Sequence, residues 1–190
     1  MSSPSTESVR SSARGGDKLV TELLGDVGGD VVKQLGDERG RRFREAELHG
    51  LKPTRGARAL LERIRAVGLR IVVATSAAAE ETAALLRQAG LDDLIDAAAD
   101  SSDAPASKPD PDIAQSALRK ATLRPSQTIM LGDTPYDIEA ASKAGVRCIA
   151  LRCGGWWNDD ALAGAAAIFD DPADLLAAWA DSPLGSRPRS

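Results

Sequence analysis

Cysteine, histidine and long apolar runs are all scarce in this 190-residue chain. There are two cysteines, Cys148 and Cys153, and one histidine, His49. Two cysteines are too few for a disulfide framework, and Cys-x4-Cys without a nearby histidine is not a zinc spacing. Cys148 falls inside an apolar run and reads as a small core residue. The lone His49 reads as a surface or hinge residue rather than a ligand. No apolar stretch approaches the roughly 20 residues of a membrane span, and MSSPSTESVRSSARGG lacks the apolar centre of a signal peptide. We therefore expect a cytoplasmic protein. No run of Lys and Arg stands out and the net charge is -4, which argues against nucleic acid as a partner.

What the chain does contain is an even mixture, 43% hydrophobic and 27% charged, which suits one domain or one domain with a small appendage. Residues 1–16 are rich in Ser, Gly, Pro and Arg and are expected to be a mobile tail. Residues 17–51 carry a weak helical pattern interrupted by glycines at 25, 28, 29, 36 and 40, which predicts short helices. Arg39, Arg41, Arg42 and Arg44 cluster there and read first as a solvated face, second as help in holding an anion.

After Pro53 the texture changes. Ala57, Leu60, Leu61, Ile64 and Val67 recur at helical spacing up to Gly68. IVVA (71–74) is a short β-branched run of the kind found in strands buried on both faces. A helix over 79–89, a weak strand near 95–99, a helix over 112–121, the strand TIML (128–131), a helix over 137–144, the strand CIAL (148–151), a strand at 168–169 and a helix over 172–179 complete the series. Residues 181–190 are expected to be a second tail. Alternating strands and helices with short connections give an α/β fold, a Rossmann-like parallel sheet covered by helices, here 52–180, with a partial helical cap at 17–51. In such sheets ligands bind at the carboxyl ends of the strands.

Three polar features fall at those ends. Thr75 and Ser76 follow IVVA, Lys108 lies in SKPDPD beyond the weak strand, and Asp133 and Asp137 follow IMLG. Two neighbouring carboxylates resist joint ionisation unless a cation neutralises them, and Mg²⁺ binds through one or two carboxylates plus water and substrate phosphate. The plainer alternative makes Asp137 a helix cap and Asp133 a turn residue. Lys108 can hold a phosphoryl group or restrain a carboxylate, or be an ordinary solvated lysine. Thr75 can donate to phosphate oxygen, or cap the next helix. In the loop after the last long strand, Gly154-Gly155 precede Trp156 and Trp157, of which one can pack on the core and one be exposed, with a partner contact as the less favoured reading.

These motifs resemble those of the haloacid-dehalogenase-like hydrolases, in their phosphoglycolate-phosphatase-like and β-phosphoglucomutase-like branch. IVVATS is similar to the second family motif, with Thr75 as the phosphate-binding hydroxyl; SKPDPDI to the third, with Lys108; IMLGDTPYD to the fourth, with Asp133 as magnesium ligand and Asp137 supporting or sharing the metal. The likeness extends to Gly154-Gly155 and to IFDDPADLLAAW. It implies a Mg²⁺-dependent phosphatase of a small phosphorylated metabolite, with mutase action as another family possibility. In the family mechanism an aspartate attacks phosphorus, the aspartyl phosphate is hydrolysed, and a second aspartate serves as acid and base. Both aspartates belong to a first motif, Asp-x-Asp-Gly-Thr, and no such motif precedes Leu51; Asp26-Val-Gly-Gly-Asp30 is the nearest imitation, with Asp17 a further nearby carboxylate. GGDKLVTELLG instead resembles the cap inserted after that motif, so the chain is expected to begin inside the cap. The family's first strand lies between those carrying Thr75 and Asp133, so a gap is expected there. The alternative function is a catalytically inactive relative that keeps the binding residues. A signalling receiver domain fits less well, because its acidic cluster precedes the hydroxyl, whereas here the acidic pair follows the lysine.

Overall fold

The computed structural model describes residues 28–46, 48–104 and 108–186. The tail expected at 1–16, the start of the cap, and Asp17 and Asp26 lie outside the described residues, as do 187–190. No helix among the described residues is long and apolar enough to cross a membrane.

The first element is α1, Gly29–Ala46. It runs through Gly36 and Gly40, where the sequence pattern predicts a series of short helices. Glycine in a helix interior is unfavourable, but charged pairs at helical spacing brace this one. Lys33 meets Asp37, and Arg41 lies between Glu38 and Glu45. Arg42 also reaches Glu38. Pairs three and four residues apart stack on one helix face, so these arginines form a solvated, internally neutralised surface. Asp30 sits in the first turn of α1, on a helix and not at a strand end. A 3-10 turn, Leu48–Gly50, carries the backbone of His49.

The α/β region follows: α2 (Ala57–Ala66), β1 (Val72–Ala74), α3 (Ala79–Ala89), β2 (Ala97–Ala99), α4 (Asp112–Ala121), β3 (Ile129–Gly132), α5 (Pro135–Lys143), β4 (Arg147–Leu151), α6 (Asp159–Leu162), β5 (Ala167–Phe169) and α7 (Pro172–Ala177). All strand pairs are parallel. β1 pairs with β2, Val73 opposite Ala98. β4 lies between β3 and β5, with Leu131 opposite Ile149 and Ala150 opposite Ile168.

The strands therefore form two sheets, β1-β2 and β3-β4-β5. Among the described residues β1 and β3 are both edge strands and are not paired with each other. Burial follows the same division. Four of the five residues of β4 are buried, whereas β1 and β3 are half-buried along their whole length.

Side chains join what the backbone does not. On one face Leu60 and Ile64 of α2, Ile149 and Leu151 of β4 and Leu175 of α7 form a cluster, and Ile71, Ile129 and Leu131 pack against it. A fully buried Leu or Ile contributes about 1.5–3 kcal/mol; Leu60, Ile149 and Leu175 are of that kind. On the other face Ala114 and Leu118 of α4 meet Ile138 and Ala141 of α5 and Cys148 and Ala150 of β4. Helix α4 is also tied to β2, because Lys120 donates to the Ala98 carbonyl at 3.0 Å and pairs with Asp103 at 2.6 Å.

The chain remains packed beyond residue 180, where the sequence pattern ends the core. Ser182 is fully buried and Leu184 joins the cluster around Leu60. The Ser182 hydroxyl donates to the Trp179 carbonyl, closing a turn that a polar, proline-containing stretch does not advertise.

Candidate active site

Helix α5 begins with a capping box. The Thr134 hydroxyl accepts from the Asp137 backbone N–H, and the Asp137 carboxylate accepts from the Thr134 N–H. Pro135 at the first helical position adds the fixed φ that a helix start favours. Asp137 is buried, and both of its oxygens are occupied. Oδ2 accepts from Thr134 N at 3.0 Å, Thr134 Oγ1 at 2.7 Å and Asp133 N at 3.2 Å. Oδ1 accepts from Lys108 Nζ at 2.6 Å. The capping role weighed for Asp137 is thus real, and one carboxylate combines it with an ion pair across the site.

Gly132 is required by this arrangement. A Cβ at 132 would collide with the Asp137 side chain, whose Cγ would lie 2.8 Å away. The strand must end in glycine for the carboxylate to fold back over it.

Lys108 is accordingly no ordinary solvated lysine. Its side chain is 24% exposed and its partner 4%. The loop that carries it is tied down from α5, because Lys143 donates to the Pro109 carbonyl at 3.3 Å.

Asp133 has a different environment. Burial pushes its carboxyl up, the negative Asp137 adds to the rise, and Lys108 opposes it. For Asp137 burial also acts upward, but Lys108 and Thr134 outweigh it and hold the carboxyl below its usual range. The two carboxylates are thus pushed in opposite directions, Asp137 down by its partners and Asp133 up. That donor chemistry fits a hard divalent cation, which takes oxygen from one or two carboxylates and completes its shell with water or phosphate. No cluster of three metal-ligating side chains occurs among the described residues.

Thr75 and Ser76 lie beyond β1. The Thr75 N–H donates to the Ala99 carbonyl at 3.0 Å, extending the sheet by one bond. Its hydroxyl accepts from the Ala77 N–H at 3.1 Å, forming a local turn. It does not cap α3, whose N-cap is Ala78. Lys108, Asp133 and Asp137 are brought together; among the described residues no hydrogen bond joins Thr75 or Ser76 to them. They stand at the carboxyl end of the other sheet.

The profile of the haloacid dehalogenase-like hydrolases matches residues 18–151. The chain belongs to that family. A phosphoglycolate phosphatase of Rhodospirillum rubrum is 34% identical over 128 residues, 67% of this chain and 53% of the relative. Protein CbbY of Cereibacter sphaeroides is 31% identical over 134 residues, covering 69% of this chain and 56% of its own. The chain thus spans about half the length of these curated relatives. A crystal structure of CbbY from Rhodobacter sphaeroides in complex with xylulose-(1,5)bisphosphate superposes with a TM-score of 0.76 and 26% identity, over 89% of this chain and 79% of that one. A hydrolase of Pseudomonas syringae shares the fold, with a TM-score of 0.78 at 23% identity over 88% of this chain and 78% of that one.

Two further residues of this haloacid dehalogenase-like chain belong to the site, Thr134 and Gly154. Thr134 was legible as Thr-Pro-x-Asp, a helix-start pattern with the acid three residues after the hydroxyl. In the sequence Gly154 stands out only as half of a glycine pair. A Cβ on it would stand 2.6 Å from Asp133 Oδ2, a contact between distant segments that no local pattern announces. The tryptophans divide as expected: Trp157 packs edge-on against Tyr136, with ring centroids 6.0 Å apart, and Trp156 is 63% exposed.

Proposed function

We propose that this protein is a Mg²⁺-dependent phosphatase of a small phosphorylated metabolite, working in the cytoplasm. The observation that carries the reading is the Lys108–Asp137 ion pair beside the exposed Asp133 carboxylate at the carboxyl end of β3. Asp133 would be the ligand that holds Mg²⁺. Asp137, with both oxygens engaged, would fix Lys108 and the backbone of Asp133 and support the metal through them. When bound, the metal would supply positive charge against phosphate oxygens. Lys108 would place a second positive charge on the same phosphate, and Thr75 would offer its hydroxyl hydrogen from the opposite sheet. The named relatives support the substrate class. One is called a phosphoglycolate phosphatase and another has been crystallised with a sugar bisphosphate, and both names denote phosphate esters on short carbon skeletons.

A second reading has its own support. Hydrolysis through an aspartyl phosphate needs a nucleophile between the hydroxyl and the metal, and the described residues leave β1 and β3 unpaired there. A chain that binds Mg²⁺ and phosphate without turnover fits that arrangement.

The two are separated by assaying p-nitrophenyl phosphate hydrolysis by the purified chain, with and without Mg²⁺ and chelator, beside Asp133→Asn. Inorganic phosphate binding is followed by calorimetry in parallel. Turnover abolished by chelator and by the substitution supports the phosphatase. Mg²⁺-dependent phosphate binding without turnover supports the binding protein. Neither binding nor turnover from a folded chain overturns both.

A further inference from the structure

The loop after β4 approaches the Asp133 carboxylate closely at Gly154. It starts with a 3-10 turn, Arg152–Gly154, closed by a hydrogen bond from the Gly155 N–H to the Arg152 carbonyl at 2.9 Å. The Arg152 guanidinium grips both Asp159 oxygens, at 2.7 and 2.9 Å, and Asp170 at 2.7 Å, fixing the turn to the start of α6 and to the end of β5. Farther along, Trp157 stands edge-on to Tyr136 in the first turn of α5, with an interplanar angle of 88°. The loop thus has side-chain contacts on both sides of Gly154.

The two adjacent glycines answer different requirements. Gly155 has φ +74 and nothing within 4 Å of the position a Cβ would take. It is glycine because of its backbone conformation, which L side chains rarely adopt. Gly154 has no such conformation, but a Cβ there would lie 2.6 Å from Asp133 Oδ2, 3.3 Å from its Cγ and 3.5 Å from its Cβ. It is glycine because the Asp133 carboxylate occupies the space. The nearest atom is the tip of a short side chain that can turn about its own bonds, so a methyl group at 154 would reorient the carboxylate before it disturbed the fold.

We propose that Gly154 is a positioning residue: its missing side chain leaves the space that sets the direction of the Asp133 carboxylate, and so the affinity of the site for a divalent cation. This rests on the reading of Asp133 as the cation ligand. Partners that orient metal ligands typically change metal affinity 10- to 100-fold when altered. Here the partner acts by exclusion.

The test compares the whole chain with its Gly154→Ala and Gly155→Ala variants, by Mn²⁺ titration in calorimetry or electron paramagnetic resonance and by thermal unfolding without metal. For Gly154→Ala we expect the metal-free Tm of the unaltered chain and a Mn²⁺ Kd raised about 10- to 100-fold. For Gly155→Ala we expect a lower Tm and an unchanged Kd. Unaltered Mn²⁺ affinity in Gly154→Ala overturns the proposal. If the unaltered chain itself binds no Mn²⁺, the cation reading of Asp133 fails and the proposal falls with it, an outcome distinct from the previous one. Should Gly154→Ala lose Tm as well, the substitution is repeated on an Asp133→Ala background, where no carboxylate opposes the methyl. A Tm loss that disappears there upholds the proposal; one that persists assigns Gly154 to the fold and overturns it.

Discussion

The Asp137 carboxylate lies so closely over Gly132 that the two positions cannot vary independently. A Cβ on Gly132 would fall inside the Asp137 side chain and 3.1 Å from its Oδ2. The glycine that ends β3 and the acid that opens α5 form one steric unit. Because Asp137 is held by Lys108, Thr134 and the backbone, it cannot swing aside. Gly132→Ala is therefore expected to destabilise the fold by about 1–3 kcal/mol, read as a lower urea midpoint. Unchanged stability would mean that Asp137 is free to move.

Removing the cation from the Lys108–Asp137 pair leaves a buried charge without its partner. Lys108→Met should lower stability at neutral pH by about 3 kcal/mol, the lower end for broken buried pairs, since Lys108 is partly exposed. The pH dependence has a definite sign. In the native chain the Asp137 carboxyl is held below its usual range, so its contribution is present above the unfolded carboxylate range and is lost as pH falls through the depressed value. In Lys108→Met burial dominates and the folded value rises, so the deficit relative to the native chain should shrink on acidification from neutrality toward about pH 4. Urea unfolding at several pH values reads this directly. A deficit that does not vary with pH would show that the pair contributes by packing alone.

The cysteines should differ in reactivity. Cys148 is buried, and burial, reinforced by Asp137, pushes its thiol up to about 12. Cys153 is exposed, though partial burial of its sulfur and the charge of Asp133 raise its value too. A thiol reagent at mildly alkaline pH should label one cysteine in the native chain and two in urea. Labelling of both without denaturant would place Cys148 in a segment that opens readily.

Hydrogen exchange should divide the strands unequally. β4 is paired on both sides and mostly buried, whereas β1 and β3 are half-buried edges. Amides of β4 should be protected longest and those of the β1-β2 pair should exchange earlier, in line with local opening of weakly packed units. Equal protection of β1 and β4 would contradict the division into two sheets.

Much of this was readable in the chain. The helix at 112–121 is found at the expected residues, because an apolar face at helical spacing ends at a clear change of conformation. The strands lie within a residue or two of the apolar runs, and the end of β3 brings Asp133 and Asp137 to Lys108 as the motif order predicts. The pattern at 17–51 predicts short helices, whereas α1 runs unbroken through Gly36 and Gly40, with charged pairs such as Lys33–Asp37 and Arg41–Glu45 along its surface. The burial of Ser182 and Leu184 was hidden because a polar stretch gives no period to read. The contact of Gly154 with Asp133 was hidden because it depends on how a loop anchored by Arg152 and Trp157 returns to the sheet.

The separation of the strands into two sheets also bears on how firmly the two ends of the site are held apart. A backbone ladder locks its strands in residue-sized steps. Among the described residues side chains make the contact instead: Ile71 on one side and Ile129 and Leu131 on the other rest against the same aliphatic layer, and the Lys108–Asp137 pair crosses beside it. No backbone ladder among the described residues fixes the span from the Thr75 hydroxyl to the Asp133 carboxylate, so an anion that bound both would act as a clasp, adding its own binding free energy to the cohesion of the two sheets.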